Sequence, residues 1–157
     1  MVGIAGGAEK CQWLVEEAGY DAAIDYKAGD VKAQIQEHCP RGVDVIFDNV
    51  GGAILDDMLA NIATGARVVV CGGISRYETG GRPSGPGNYF NLIFRRASMA
   101  GFIVLDWASE FPAIRKRLEG FVQDGSLTYQ EDIQEGFENA PATLKRLFTG
   151  QNRGKQM

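Results

Sequence analysis

Short apolar, β-branched runs alternate with helix-length segments along the whole chain, and this alternation constrains the fold more than any other feature. Residues 2–5, 22–26, 43–50, 66–72 and 99–105 read as strands, and residues 8–18, 30–39, 53–62, 88–96, 110–124 and 137–148 as helices. Residues 127–133 read as a short edge strand. Asp30 stands where it can cap the second helix, with Val31 and Ile35 inward, and Gly19 is a natural stop after the first. Helical spacing also predicts inward faces on the two last helices, formed by Ile114, Leu118, Phe121 and Val122, then by Ala140, Leu144, Leu147 and Phe148. Strands that are apolar throughout are buried on both faces, as in a parallel sheet with helices on each side. The expected fold class is α/β, a doubly wound parallel sheet whose ligand sits at the carboxyl ends of its strands.

The bulk properties exclude several classes. A chain of 157 residues suits one domain. Its net charge of −4 argues against nucleic acid or an anionic membrane as a partner. No run approaches the ~18 apolar residues needed to span a bilayer. Cys11, Cys39 and Cys71 fit neither a paired metal motif nor a disulfide framework, and His38 is the single histidine, so no metal site is expected. An odd cysteine count without a signal peptide points to the reducing cytoplasm. The 21 glycines cluster at segment ends, which suggests tight strand–helix turns. The glycine-rich stretch 73–87 is the loop-like part.

Four constellations at predicted strand ends carry chemistry. Residues 3–10 end the first strand in Ala5, Gly6 and Gly7, with Lys10 in the following helical turn. Dinucleotide folds that take NAD place an acid at such a strand end for the ribose 2′-hydroxyl. Small residues leave room for a 2′-phosphate and Lys10 supplies countercharge, which favours NADP(H); alternatively Lys10 is a solvated helix residue. Tyr26 and Lys27 end the next strand, again at the ligand edge, with Tyr26 either a phosphate or adenine contact or an aromatic capping the sheet edge. Asn49, before Gly51 and Gly52, presents a side-chain amide at a turn where backbone can approach a ligand. Asp48 beside it reads as a turn cap. The fourth constellation is Cys71, Gly72, Gly73, Ile74, Ser75, Arg76 and Tyr77, where backbone can lie against a nicotinamide ribose or pyrophosphate and Ser75 or Tyr77 can donate to it. Cys71 reads as a small apolar filler rather than a redox centre.

In order, these segments resemble one family, the zinc-independent medium-chain dehydrogenase/reductases of the prostaglandin reductase, leukotriene hydroxydehydrogenase and alkenal double-bond reductase type. The resemblance runs through residues 6–10, 25–27, 47–52, 71–75, 101–104, 135–141 and 150–155. It implies a Rossmann-like domain and NADPH-dependent hydride transfer to the β-carbon of an enone or enal. It also implies that Lys10 and Tyr26 hold the 2′-phosphate, that Asn49 touches the ribose–pyrophosphate region, and that residues 71–77 line the cofactor. Phe102, Ile103 and Val104 would flank the nicotinamide, and Asn152 would reach back to the cofactor. A tyrosine that assists α-carbon protonation in some members falls within 89–96; Phe94 stands in closest register and Tyr89 is a possible substitute.

The resemblance further implies an incomplete NADP-binding domain over residues 1–157. The first strand with its glycine-rich phosphate loop, and the GroES-like catalytic domain, are expected to be absent, leaving the chain alone weakly active or inactive. Other readings are a quinone oxidoreductase of the same superfamily and a catalytically inactive remnant or interaction module. In the doubly wound order the absent strand is central, with residues 2–5 and 22–26 on one side and 43–50 and 66–72 on the other. The sheet is therefore expected either to close, residues 2–5 pairing beside 43–50, or to have its edges covered in a homodimer.

Overall fold

A computed structural model of the protein describes residues 1–76 and 85–157. Its strands are β1 (Val2–Ala5), β2 (Ala22–Asp25), β3 (Val43–Asp48), β4 (Ile62–Val70), β5 (Ser98–Gly101), β6 (Glu131–Asp132) and β7 (Lys155–Gln156). Its α-helices are α1 (Ala8–Glu16), α2 (Val31–His38), α3 (Gly52–Ala60), α4 (Asn91–Phe94), α5 (Phe111–Gln123) and α6 (Ala140–Thr149). They form two compact units, Met1–Lys27 with Glu110–Met157, and Ala28–Ser109.

In the first unit β1 and β2 run parallel, Val2 opposite Ala22 through Ala5 opposite Asp25, with α1 as the crossover. Gly3 lets that helix close on the strand, because a Cβ there would stand 2.8 Å from Leu14 Cδ1. Ile24 is fully buried. The predicted edge strand 127–133 shortens to β6, whose parallel partner is β7. Arg146 of α6 ties this corner together, donating to Asp132 Oδ2 at 2.7 Å and to Gln156 Oε1 at 3.0 Å. The Arg153 backbone N–H donates to the same Asp132 oxygen at 2.9 Å, and Gln134 Nε2 to Asp132 Oδ1 at 2.7 Å.

The predicted inward faces of α5 and α6 are not buried. Ile114, Leu118, Phe121 and Val122 stay between 37% and 47% exposed, and Leu144, Leu147 and Phe148 between 40% and 57%. Helical periodicity marks a face capable of burial, but burial needs a second surface laid against it. The two four-residue strands β1 and β2 offer too little area to cover two more helices.

The second unit holds the main core: Ile46, Leu55, Leu59, Ile62, Ala66 and Val68. Its sheet is parallel in the order β3–β4–β5. Asp30 caps α2 as expected, Oδ1 accepting from the Ala33 N–H at 3.1 Å, and Val31 and Ile35 are buried. β4 starts earlier than the predicted residue 66. It passes through Gly65, whose φ of +78° admits glycine without strain and whose N–H donates to the Arg95 carbonyl at 2.7 Å. The pairing of β3 with β4 shifts register between Val43 and Val45, which absorbs the extra length. The predicted helix 88–96 splits into a 3-10 turn, Gly87–Phe90, followed by α4.

One sheet expectation needs correction. β3 is buried on one face only: Ile46 and Asp48 are covered, whereas Val45 is 55% and Phe47 60% exposed. β1 has β2 as its ladder partner and β3 has β4, each of β1 and β3 carrying a ladder along one edge among the described residues. The local crossovers through α1 and α3 fix these pairings within each unit.

Two measurements test this architecture. Leu59→Ala empties a fully buried site and is expected to lower stability in urea by about 2–5 kcal/mol, whereas Leu144→Ala on the uncovered face of α6 changes it by less than about 0.5 kcal/mol. The second concerns Asp132, whose carboxyl the Arg153 amide and then the Arg146 guanidinium hold down to about 2 from the usual 3.8. A carboxylate more acidic in the folded than in the unfolded state stabilises the fold above the unfolded value and loses that contribution as pH falls through the folded one. Thermal unfolding followed from about pH 4 down to about pH 2 is therefore expected to show a drop that is shallower in Asp132→Asn; an unchanged pH profile in the variant would refute the assignment.

Candidate functional site

In the first unit the carboxyl ends of β1 and β2 form one edge. The Asp25 carboxylate organises it, Oδ1 accepting from the Gly7 N–H at 2.8 Å and from the Lys27 N–H at 2.9 Å. These two backbone donors, Gly7 first, hold the Asp25 carboxyl below the usual carboxylate range. The Tyr26 N–H donates to the Ala5 carbonyl at 3.1 Å, which continues the strand pairing by one residue. The Tyr26 ring then lies over Gly6: a Cβ on that glycine would sit 2.8 Å from the phenol oxygen. Gly6 is thus a cradle that the ring fills, while Tyr26 keeps 43% of its surface exposed.

Lys10, one turn into α1, donates through Nζ to the Gly150 carbonyl at 2.7 Å. Burial and then the neighbouring Lys27 ammonium lower its pKa. Lys27 Nζ stands 5.9 Å from the centroid of the Tyr26 ring. Glu9, adjacent to Lys10, is taken up by an ion pair with Arg153. Asn152 lies in this unit too, its side-chain amide donating to the Gly154 carbonyl at 2.9 Å. Lys27 stands near both the Lys10 ammonium and the Tyr26 ring, and sequence reasoning gives Lys27 no role in the site. The available signal is its place directly after Tyr26 at a strand end.

In the second unit the turns after β3 and β4 face each other. Asp48 is 2% exposed, and its carboxylate accepts from the Val50 and Gly51 N–H groups, both at 3.0 Å to Oδ1, so it caps the turn. Its carbonyl accepts from the Cys71 and Gly72 N–H groups at 2.8 and 3.2 Å. Gly72 permits a close approach, since a Cβ there would stand 3.4 Å from both the carbonyl and side-chain oxygens of Asn49. The Ile74 N–H donates to the Asn49 carbonyl at 3.1 Å. The Ser75 hydroxyl donates to the Val50 carbonyl at 2.6 Å, so its proton serves the protein and its oxygen is left as an acceptor.

These turns wall an open cleft of about 980 Å³, lined by Asp48, Cys71, Gly72, Gly73 and Ser75, and by Asp56 of α3. Asn49 is exposed beside it. The backbone of Arg76 ends the 3-10 turn Ile74–Arg76, and Tyr77 lies outside the described residues. Phe102 follows β5 with its ring 6.2 Å from that of Phe47 and 5.5 Å from that of Trp107, while Ile103 and Val104 are 63% and 58% exposed. Tyr89 packs on Phe90, ring centroids 4.7 Å apart, in a turn that Asn88 fastens to Asp56; Tyr89 does not line the cleft. Phe94 is 69% exposed. Among the described residues no group of three or more His, Cys, Asp or Glu could hold a metal ion, and no helix is long and apolar enough to cross a membrane.

Comparison with known proteins places this arrangement. Residues 1–120 match the family model described as zinc-binding dehydrogenase. YfmJ of Bacillus subtilis is 44% identical over 160 residues, covering 100% of this chain and 47% of its own length. The NADP(+)-dependent 2-alkenal reductase of Nicotiana tabacum is 39% identical over 158 residues, covering 100% of this chain and 46% of its own. Among solved structures, CurA of Vibrio vulnificus in complex with NADPH superposes with a TM-score of 0.89 at 36% identity, over 98% of this chain and 47% of that one. The chain spans about half the length of the curated relatives it matches. With its parallel α/β architecture and a family match over most of its length, the chain belongs to the zinc-binding dehydrogenase family.

Proposed function

We propose that this chain is the NADP(H)-binding part of an oxidoreductase that reduces the activated carbon–carbon double bond of enones and enals. The observation that carries the reading is the edge formed by Lys10, Tyr26 and the small residues Ala5, Gly6 and Gly7, which offers cations and a phenol where an NAD-type fold presents an acid to the ribose. That donor set fits a 2′-phosphate, since a phosphate binds best where charged donors converge. The name of one relative, an NADP(+)-dependent 2-alkenal reductase, supports the same cofactor and substrate class, and the structure of CurA in complex with NADPH supports the cofactor.

When bound, NADPH supplies the hydride that adds to the β-carbon. In the first unit Lys10 and Tyr26 hold the 2′-phosphate, and Asn152 is a further cofactor contact. In the second unit Asn49 and the turn from Cys71 through Gly72, Gly73, Ile74, Ser75 and Arg76 line the ribose and pyrophosphate, largely with backbone. Phe102, Ile103 and Val104 present an apolar surface to the nicotinamide and exclude water from it. Tyr89 is the candidate for protonating the α-carbon. The residues 1–157 constitute an incomplete NADP-binding domain in this reading, a GroES-like domain completing the substrate pocket. The protein works in the cytoplasm, consistent with three free cysteines, and as a homodimer that covers exposed apolar surface such as Val45 and Phe47.

Two experiments test the reading. Calorimetric titration is expected to give NADPH about 100-fold or more tighter than NADH, a preference that Lys10→Ala reduces by about 10- to 100-fold, the worth of one hydrogen bond to a charged group. Equal affinity for the two cofactors would remove Lys10 and Tyr26 from their roles. Treatment with a zinc chelator is expected to leave NADPH affinity unchanged; stoichiometric zinc in the purified protein, lost together with cofactor binding, would overturn the metal-free chemistry.

A further inference from the structure

Two ammonium groups converge on one residue in the first unit. Lys10 Nζ donates to the Gly150 carbonyl, and Lys27 Nζ lies 3.7 Å from the point where a Cβ on Gly150 would stand. Gly150 is the left-handed cap of α6, so both cations sit at the negative end of that helix. Neither lysine forms an ion pair with a carboxylate among the described residues. The acids nearby are engaged otherwise: Glu9 by Arg153, and Asp25 by the backbone of Gly7 and of Lys27 itself. The Asp25 carboxylate feels the Lys27 ammonium without forming an ion pair with it, the two like charges repel, and an anion with several acceptor oxygens relieves both at once.

The backbone explains why Lys27 is there. Asp25 Oδ1 bridges Gly7, at the start of α1, and Lys27, just past β2. One oxygen thereby fixes the turn that carries Lys10 relative to the turn that carries Tyr26 and Lys27. The ring of Tyr26 is seated on Gly6, and the Lys27 ammonium stands 5.9 Å from its centroid.

We propose that Lys27, held in position by Asp25, is the second cation of the 2′-phosphate subsite and, with Lys10, sets the preference for NADP(H) over NAD(H). The inference rests on the reading that the chain binds NADP(H). Lys10 exchanges the Gly150 carbonyl for a phosphate oxygen, and Lys27 approaches the same phosphate from the other strand end. Asp25 is a positioning residue whose hydrogen bonds go to backbone alone; Asn at this place keeps an acceptor oxygen for both N–H groups, whereas Ala removes it.

The test measures binding of adenosine 2′,5′-bisphosphate and adenosine 5′-monophosphate, two probes differing by the 2′-phosphate, to the full chain and its variants. Lys27→Ala is expected to weaken the bisphosphate about 10- to 100-fold and leave the monophosphate unchanged, while Lys27→Arg keeps the preference. Asp25→Ala is expected to lose the preference as Lys27→Ala does, and Asp25→Asn to retain it. Thermal unfolding of each variant separates a folding defect from a binding one, and Lys27→Arg and Asp25→Asn keep the test open if an alanine variant fails to fold. A wild type that prefers the bisphosphate, with Lys27→Ala preferring it equally, overturns this inference and leaves the NADP(H) reading standing. A wild type without any preference overturns that reading first and this one with it.

Discussion

A parallel strand that turns sharply into a helix leaves backbone N–H groups at its carboxyl end with no ladder to join. In this protein an aspartate at the strand end supplies the missing acceptor, once in each unit. Asp25 gathers the amides of Gly7 and Lys27, and Asp48 those of Val50 and Gly51. Removing either carboxylate would leave two backbone donors without their protein acceptor. Every candidate ligand contact that directly follows these two strands inherits its position from those four hydrogen bonds.

The two turns use this anchoring differently. At Asp25 the fixed backbone displays side chains: a phenol and two ammonium groups. At Asp48 it displays backbone, because Gly51, Gly52, Gly72 and Gly73 carry nothing that could obstruct an approach. The first arrangement suits recognition of a charged group, the second suits close contact with an extended ligand whose identity is set elsewhere. Ser75 belongs to the second arrangement, its hydroxyl fastening the two turns through the Val50 carbonyl.

What can be read in the sequence follows from how local each signal is. Asp30 with Val31 and Ile35 is legible because a cap and a helical repeat act within one or two turns. The pairs Gly6 with Tyr26 and Gly7 with Asp25 can be placed at strand ends, but their contact depends on strand register, which periodicity does not encode. Lys27 is hidden for the same reason: its neighbour Gly150 is remote in the chain. Sequence spacing overextends β6 and gives no hint of β7, because each two-residue strand exists through the other and through Arg146. The faces of α5 and α6 are legible as apolar, whereas their exposure depends on what lies against them. Tyr89 illustrates the remaining gap, since a tyrosine in a turn looks alike in sequence whether it faces a cleft or stacks on Phe90.

The seat of Tyr26 on Gly6 couples those two positions sterically. The phenol occupies the volume that any side chain at position 6 would claim, so even a methyl group there displaces the ring. An acidic residue at position 6 would evict the tyrosine and at the same stroke install a carboxylate suited to a ribose hydroxyl.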